Sequence, residues 1–124
     1  MKVPGFLLRR LYVKGTLAIN PEGFEFQLRN RLGSGYARKL LPLTLDGNDL
    51  DMTKTTFEVD GKRLAFDVVT NETPFTLAMN KTTTIAYTGG TISDGAHKIS
   101  MRFEVAGLGE LGFDFSDGAS PTQG

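Results

Sequence analysis

The chain holds a single histidine, His97, the side chain best suited to acid–base work near neutral pH. A Ser–His–Asp arrangement would have to recruit its serine and aspartate from elsewhere in the chain. No Gly-x-Ser-x-Gly elbow is present, and Gly33-Ser34-Gly35 lacks that spacing. His97 has the same parity as Ile99 and Met101. That placement predicts a partly buried, hydrogen-bonded residue at the start of a strand rather than a base. Carboxylate pairs of the kind glycosidases use exist in Glu58 with Asp60, and in Glu104 with Glu110 or Asp114. Each lies on the polar parity of a strand, where solvated charge is expected. Cysteine is absent, which excludes disulfides, thiolate catalysis and Cys-based zinc sites. The spacing of His, Asp and Glu suggests no metal-ligand set. Gly107 and Gly109 lack the following helix and the Lys-Ser/Thr of a phosphate-cradling loop.

Contact chemistry is better represented than catalytic chemistry. Tyr36 follows Gly33-Ser34-Gly35 and precedes Arg38 and Lys39, and loop-borne Tyr and Arg are favoured anchors for partners and ligands. Arg29 and Arg31 stand on the polar face of an alternating segment beside Glu25 and Gln27, either solvated or docked on another protein. The candidate contact residues are therefore Tyr36, Arg38, Lys39, Arg29, Arg31 and His97. Basic and acidic residues balance at 14 each, which argues against a nucleic-acid binder. The balance is uneven along the chain. Lys2, Arg9, Arg10, Lys14, Arg29, Arg31, Arg38 and Lys39 face only Glu22 and Glu25 in the first 40 residues. Sheet pairing would interleave the halves and cancel this asymmetry; otherwise it marks a basic patch for an acidic partner or anionic ligand.

The elements that carry these residues are legible as strands. In residues 23–32, Phe24, Phe26, Leu28 and Leu32 alternate with Glu25, Gln27, Arg29 and Arg31. In residues 97–105, Ile99, Met101, Phe103 and Val105 alternate with Lys98, Ser100, Arg102 and Glu104. Such alternation gives one apolar and one polar face, as in antiparallel sheets buried on one side. Residues 6–19 read as one long strand or two short ones broken near Gly15, followed by a turn at Asn20-Pro21-Glu22-Gly23. Residues 36–45 resume as a strand that Pro42 marks as an edge or bulge. Asp46-Gly47 is a turn signal, and Asp60-Gly61 between 55–60 and 62–69 is the best local hairpin signal. Strands are also expected over 75–79, 82–87 and 111–115. No window keeps helical periodicity with good caps. The fold class is all-β, an antiparallel two-sheet β-sandwich, jelly-roll-like or Ig-like, of about eight or nine strands. Residues 1–115 form the single domain and 116–124 a flexible tail. No apolar run reaches the roughly 20 residues of a membrane span, and the N-terminal Phe6-Leu7-Leu8 is too short for a signal-peptide core. The expected setting is cytoplasmic.

Three segments carry a resemblance. They are Gly23-Phe-Glu-Phe-Gln-Leu-Arg-Asn-Arg-Leu-Gly-Ser-Gly-Tyr-Ala-Arg-Lys-Leu-Leu-Pro-Leu-Thr-Leu-Asp-Gly47, Phe57-Glu-Val-Asp-Gly61 and Gly95-Ala-His-Lys-Ile99. Together they resemble the β subunit of bacterial C-glycoside deglycosidases. The resemblance implies a non-catalytic accessory β subunit held against a sugar isomerase-like TIM-barrel α subunit. That partner would carry the divalent metal, Mn or Mg, and this chain would bind no cofactor. The complex would be a lyase of carbohydrate metabolism, cleaving the carbon–carbon bond of 3-oxo-glycosides. Tyr36 and Arg38 fall on the family's Tyr-Arg stretch, with Ala37 between them as a departure. The alternative is a stand-alone β-sandwich module binding carbohydrate or another small ligand. A third reading is an autonomous enzyme using His97 with a carboxylate. Self-association through sheet edges is open to all three.

Overall fold

The computed structural model describes residues 4–31 and 35–121. The antiparallel sandwich expected from the alternation is what forms. In chain order it comprises α1 (Gly5–Leu8), a 3-10 turn (Arg9–Leu11), β1 (Ala18–Asn20), β2 (Gly23–Arg29), β3 (Gly35–Ala37), β4 (Lys39–Leu40), β5 (Thr44–Leu45) and β6 (Asn48–Asp49). A 3-10 turn (Met52–Lys54) leads to β7 (Thr55–Val59) and β8 (Lys62–Ala65). A third (Phe66–Val68) precedes β9 (Phe75–Leu77), β10 (Thr82–Tyr87), β11 (Gly95–Val105) and β12 (Gly109–Pro121). Twelve strands thus replace the eight or nine expected, because the strand read over 36–45 is cut into β3, β4 and β5 and the Asp46-Gly47 turn adds β6. Pro42, which has no N–H for a ladder, lies in the last of those cuts.

One layer has the order β6-β5-β11-β12, with β4 also on β11, and the other β1-β2-β10-β7-β8. A short parallel pairing of β12 with β1 (Ala18↔Ser120) joins them into one continuous hydrogen-bonded path. The pair β3–β9 stands apart as a second, two-stranded sheet. Phenylalanines from both layers meet inside. Phe26 and Phe115 pack edge-to-face at 5.1 Å, and Tyr12 stacks on Phe115 at 3.6 Å between ring centroids. Phe24, Phe26, Leu28, Ile85, Ile99 and Met101 have no exposed surface.

Turn chemistry sets the register. Asp46-Gly47 and Asp60-Gly61 all have positive φ, the type I′ geometry that matches the twist of two-residue hairpins. The Asn20 side chain accepts from the N–H groups of Glu22 and Gly23, closing the β1–β2 turn.

Three segments depart from the sequence reading, one being the second hairpin arm, 62–69, which leaves the sheet after Ala65 as the 3-10 turn Phe66–Val68. Residues 6–19 are strand only at Ala18 and Ile19, where β1 begins. Pro4 opens α1, its carbonyl accepting from Leu7 and Leu8 N–H, and Leu8 and Leu11 are buried on one side. A strand would have sent Leu7 and Leu8 to opposite faces; a helical turn lets Leu7, Leu8 and Leu11 cluster. Residues 116–121 continue β12, where the small polar composition had pointed to a tail. Eleven-residue pairing with β11 carries them as far as Ala119, opposite Gly95, and Ser120 and Pro121 pair with β1. Residues 122–124, the rest of that segment, lie outside the described residues, as do Lys2, Leu32, Gly33 and Ser34. Among the described residues no helix is long and apolar enough to cross a membrane.

Candidate functional site

At one end of the sandwich three elements leave a cleft of about 390 Å³ between them. The N-terminal helical segment contributes Leu7, Leu8 and Leu11. The small sheet contributes Tyr36 and Ala37 from β3, with Phe75 and Leu77 from β9. The β11–β12 hairpin supplies Phe103, Val105, Leu108 and Leu111. The lining is almost wholly apolar. Asn30, just beyond β2, is the deep polar member, and its amide donates to the Leu77 carbonyl at 2.8 Å. Tyr36, at the cleft, is 52% exposed despite its size. The volume falls within the ordinary range of small-molecule sites.

The sequence-derived candidates are dispersed rather than gathered here. Tyr36 alone lines the apolar cleft. Arg38 is turned to β11, its guanidinium 2.5 Å from the Glu104 carboxylate. Lys39 is exposed and lies opposite Glu104 in register. Arg29 and Arg31 line a separate, smaller hollow with Arg10, Tyr12, Val13, Gln27 and Thr82. Sequence reasoning missed Leu7, Leu8 and Leu11 because they were assigned to a strand. The signal that would have found them is their i, i+3, i+4 spacing directly after Pro4.

His97 sits elsewhere, where β11 meets the β5–β6 turn. Its Nδ1 is 2.6 Å from the Asp46 carboxylate, and its Nε2 is 2.7 Å from the Ser93 carbonyl and 3.3 Å from the Ser93 hydroxyl. The residue types are those of a hydrolytic triad, but the hydrogen-bond directions are not. A carboxylate and a carbonyl both accept, so this geometry stabilises the protonated ring, in which both nitrogens donate. Nε2 then has no lone pair to take a proton from Ser93, which a triad requires. The Asp46 hydrogen bond is the main cause raising the His97 pKa, followed by the Ser93 carbonyl. Asp46 is in turn lowered, first by the Lys98 N–H and then by His97. The arrangement ties β11 to the β5–β6 hairpin.

The second perturbed pair is Tyr12 with Asp117. The Tyr12 hydroxyl donates to the Asp117 carboxylate at 2.7 Å, and the Gly15 N–H donates to the same oxygen. Burial, then the Asp117 hydrogen bond, pushes the Tyr12 phenol up to about 12. Asp117 is lowered by the same bond. Four of the five carboxylates singled out as glycosidase pairs are engaged in ion pairs: Glu58 with Arg63, Asp60 with Lys81, Asp114 with Arg9, and Glu104 with Arg38. Among the described residues no group of three or more His, Asp or Glu is placed to hold a metal ion.

A family model described as hydroxymethylglutaryl-CoA reductase, N-terminal domain, matches residues 7–120. No curated protein matches the chain at a significant level. The family match overturns the resemblance to C-glycoside deglycosidase β subunits and the accessory-subunit function drawn from it. The motifs behind that resemblance have local structural roles here. Gly23 closes a turn, Asp60-Gly61 forms a hairpin, and His97 clamps a strand start. Such motifs serve antiparallel sheets in general and do not distinguish one family from another. The barrel-type partner and its divalent metal were implied by that resemblance alone and lose that support.

Proposed function

Because this chain belongs to the family of hydroxymethylglutaryl-CoA reductase N-terminal domains, we propose that it is a non-catalytic binding module of a reductase-type system, whose ligand is a small, mostly apolar molecule. The observation that carries this reading is the apolar cleft among α1, the β3–β9 sheet and the β11–β12 hairpin. Its walls are secondary-structure elements rather than long loops, so the cavity is preformed and little ordering opposes binding. Tyr36 provides a phenol at the mouth for a single polar group on the ligand, the usual division between apolar walls and a few polar contacts. His97, the residue best suited to catalysis by type, supports a strand junction instead.

The test uses an uncharged solvatochromic dye and competing small apolar ligands, followed by fluorescence and calorimetry. Saturable one-to-one binding is expected. Val105→Trp, which fills the cleft from β11, should abolish it while the circular dichroism spectrum stays that of the parent. Unchanged binding in Val105→Trp, or no saturable binding of any ligand, would overturn the reading.

A second reading is supported by Phe6 and Leu108, exposed at 69% and 37% on the helix and hairpin that flank the cleft. On that reading the same face packs against a second copy of the chain. Concentration-dependent light scattering separates the two, since self-association should block dye binding as the dimer forms.

A further inference from the structure

The second hollow is chemically unlike the apolar cleft. Arg10 comes from the 3-10 turn, while Arg29 ends β2 and Arg31 follows it. The chain after Tyr12 runs along β2, Val13 N–H donating to the Gln27 carbonyl at 2.9 Å and Tyr12 bridging Leu28, so Arg10 is carried beside Arg29 and Arg31. The hollow measures about 250 Å³ and is completed by Tyr12, Gln27 and Thr82.

The four other arginines each have a carboxylate. Arg9, Arg38 and Arg63 hold Asp114, Glu104 and Glu58 at 3.0 Å or less, and Arg102 is 3.9 Å from Asp49. Among the described residues, no carboxylate pairs with Arg10, Arg29 or Arg31. The nearby acids are committed elsewhere. Glu58, two strands across from Gln27, bonds Arg63, and Asp60 bonds Lys81. Glu25 shares the strand face but lies four residues from Arg29, about 13 Å along the strand. Three fixed positive charges around one hollow repel one another, and Arg presents the planar fork that matches phosphoryl oxygens.

We infer that the hollow lined by Arg10, Arg29 and Arg31 is a binding site for a dianionic phosphate group of a small molecule. Gln27 and Thr82 supply neutral polar groups beside the guanidinium forks. The site does not depend on the apolar cleft, which receives Leu7, Leu8 and Leu11 from the same N-terminal segment.

Thermal melts and calorimetry of the full chain test this, with inorganic phosphate, succinate and chloride at matched ionic strength. Phosphate is expected to raise the melting temperature saturably, with chloride giving no such plateau. Arg29→Gln and Arg31→Gln should each weaken phosphate binding about tenfold and leave the melting temperature in chloride no lower than the parent's. Arg10→Gln, on a separate element, repeats the test should a β2 variant fail to fold. Equal responses to phosphate and chloride, or an undiminished phosphate response in the variants, would overturn the site. Succinate binding as tightly as phosphate would overturn the phosphoryl assignment.

Discussion

The His97–Asp46 pair shows how little residue type says without hydrogen-bond direction. Ser93, His97 and Asp46 are close enough to look catalytic, yet two acceptors at 2.6 and 2.7 Å favour the cationic ring over the neutral base. The consequence is a pH dependence with a definite sign. His97 has a raised pKa, so its contribution is full below the ordinary value of 6.5 and is lost as pH rises through the raised one. Asp46 has a lowered pKa, so its contribution is present above 3.8 and is lost as pH falls through the lowered value. The melting temperature should therefore decline as pH rises from 6.5 through the raised value, and Asp46→Asn should move that decline back toward the ordinary histidine range. A pH series of melts on both proteins measures it; superimposable profiles would refute the clamp. Tyr12 adds a second alkaline step. Its phenol ionises near 10 when unfolded and near 12 when folded, so stability falls as pH climbs between the two. Tyr12→Phe should remove that step and cost about 1.5 kcal/mol at neutral pH, the worth of a hydrogen bond to a charged acceptor.

Among the elements, the β1–β2 turn has the tightest steric requirement. A Cβ on Gly23 would lie 1.8 Å from the Tyr87 carbonyl oxygen, an atom of the β10 backbone that cannot swing away. Gly23→Ala is expected to destabilise by about 3 kcal/mol, the upper range for overpacking, as read by urea titration. The β7–β8 hairpin is limited by backbone conformation rather than by space. Gly61 has φ +79 with nothing near its missing Cβ. Gly61→Ala should cost about 1 kcal/mol through the left-handed conformation alone. A larger loss there than at Gly23 would contradict both assignments. These turns were legible because Asn, Asp and Gly act locally, through φ and their own side chains. The helical segment at 5–11 was not. Its Leu7, Leu8 and Leu11 satisfy a strand or a helix over so few residues, and only packing against β12 decides between them.

For the whole molecule, the junction of the layers is the point of greatest dependence. Phe115 contacts Tyr12, Phe26 and Phe113 at once, where the two layers meet. Phe115→Ala should cost about 4 kcal/mol by opening a cavity that neither layer can collapse to fill. A loss under 1 kcal/mol in denaturant titration would mean that the layers hold together by other contacts. What the sequence determined by itself was the all-β class, the buried parity of β2 and β11, and the hairpin turns. Period-two alternation and turn residues act over a few neighbours, so they can be read without knowing the fold. Tertiary structure alone decided that β12 pairs in parallel with β1, that residues 116–121 are strand, and that Arg10 joins Arg29 and Arg31 across eighteen residues of chain. It also separated Tyr36 from Arg38, sending one to an apolar cleft and the other to Glu104. Those outcomes depend on which surfaces meet across long sequence separations, and no local pattern of side chains encodes that meeting.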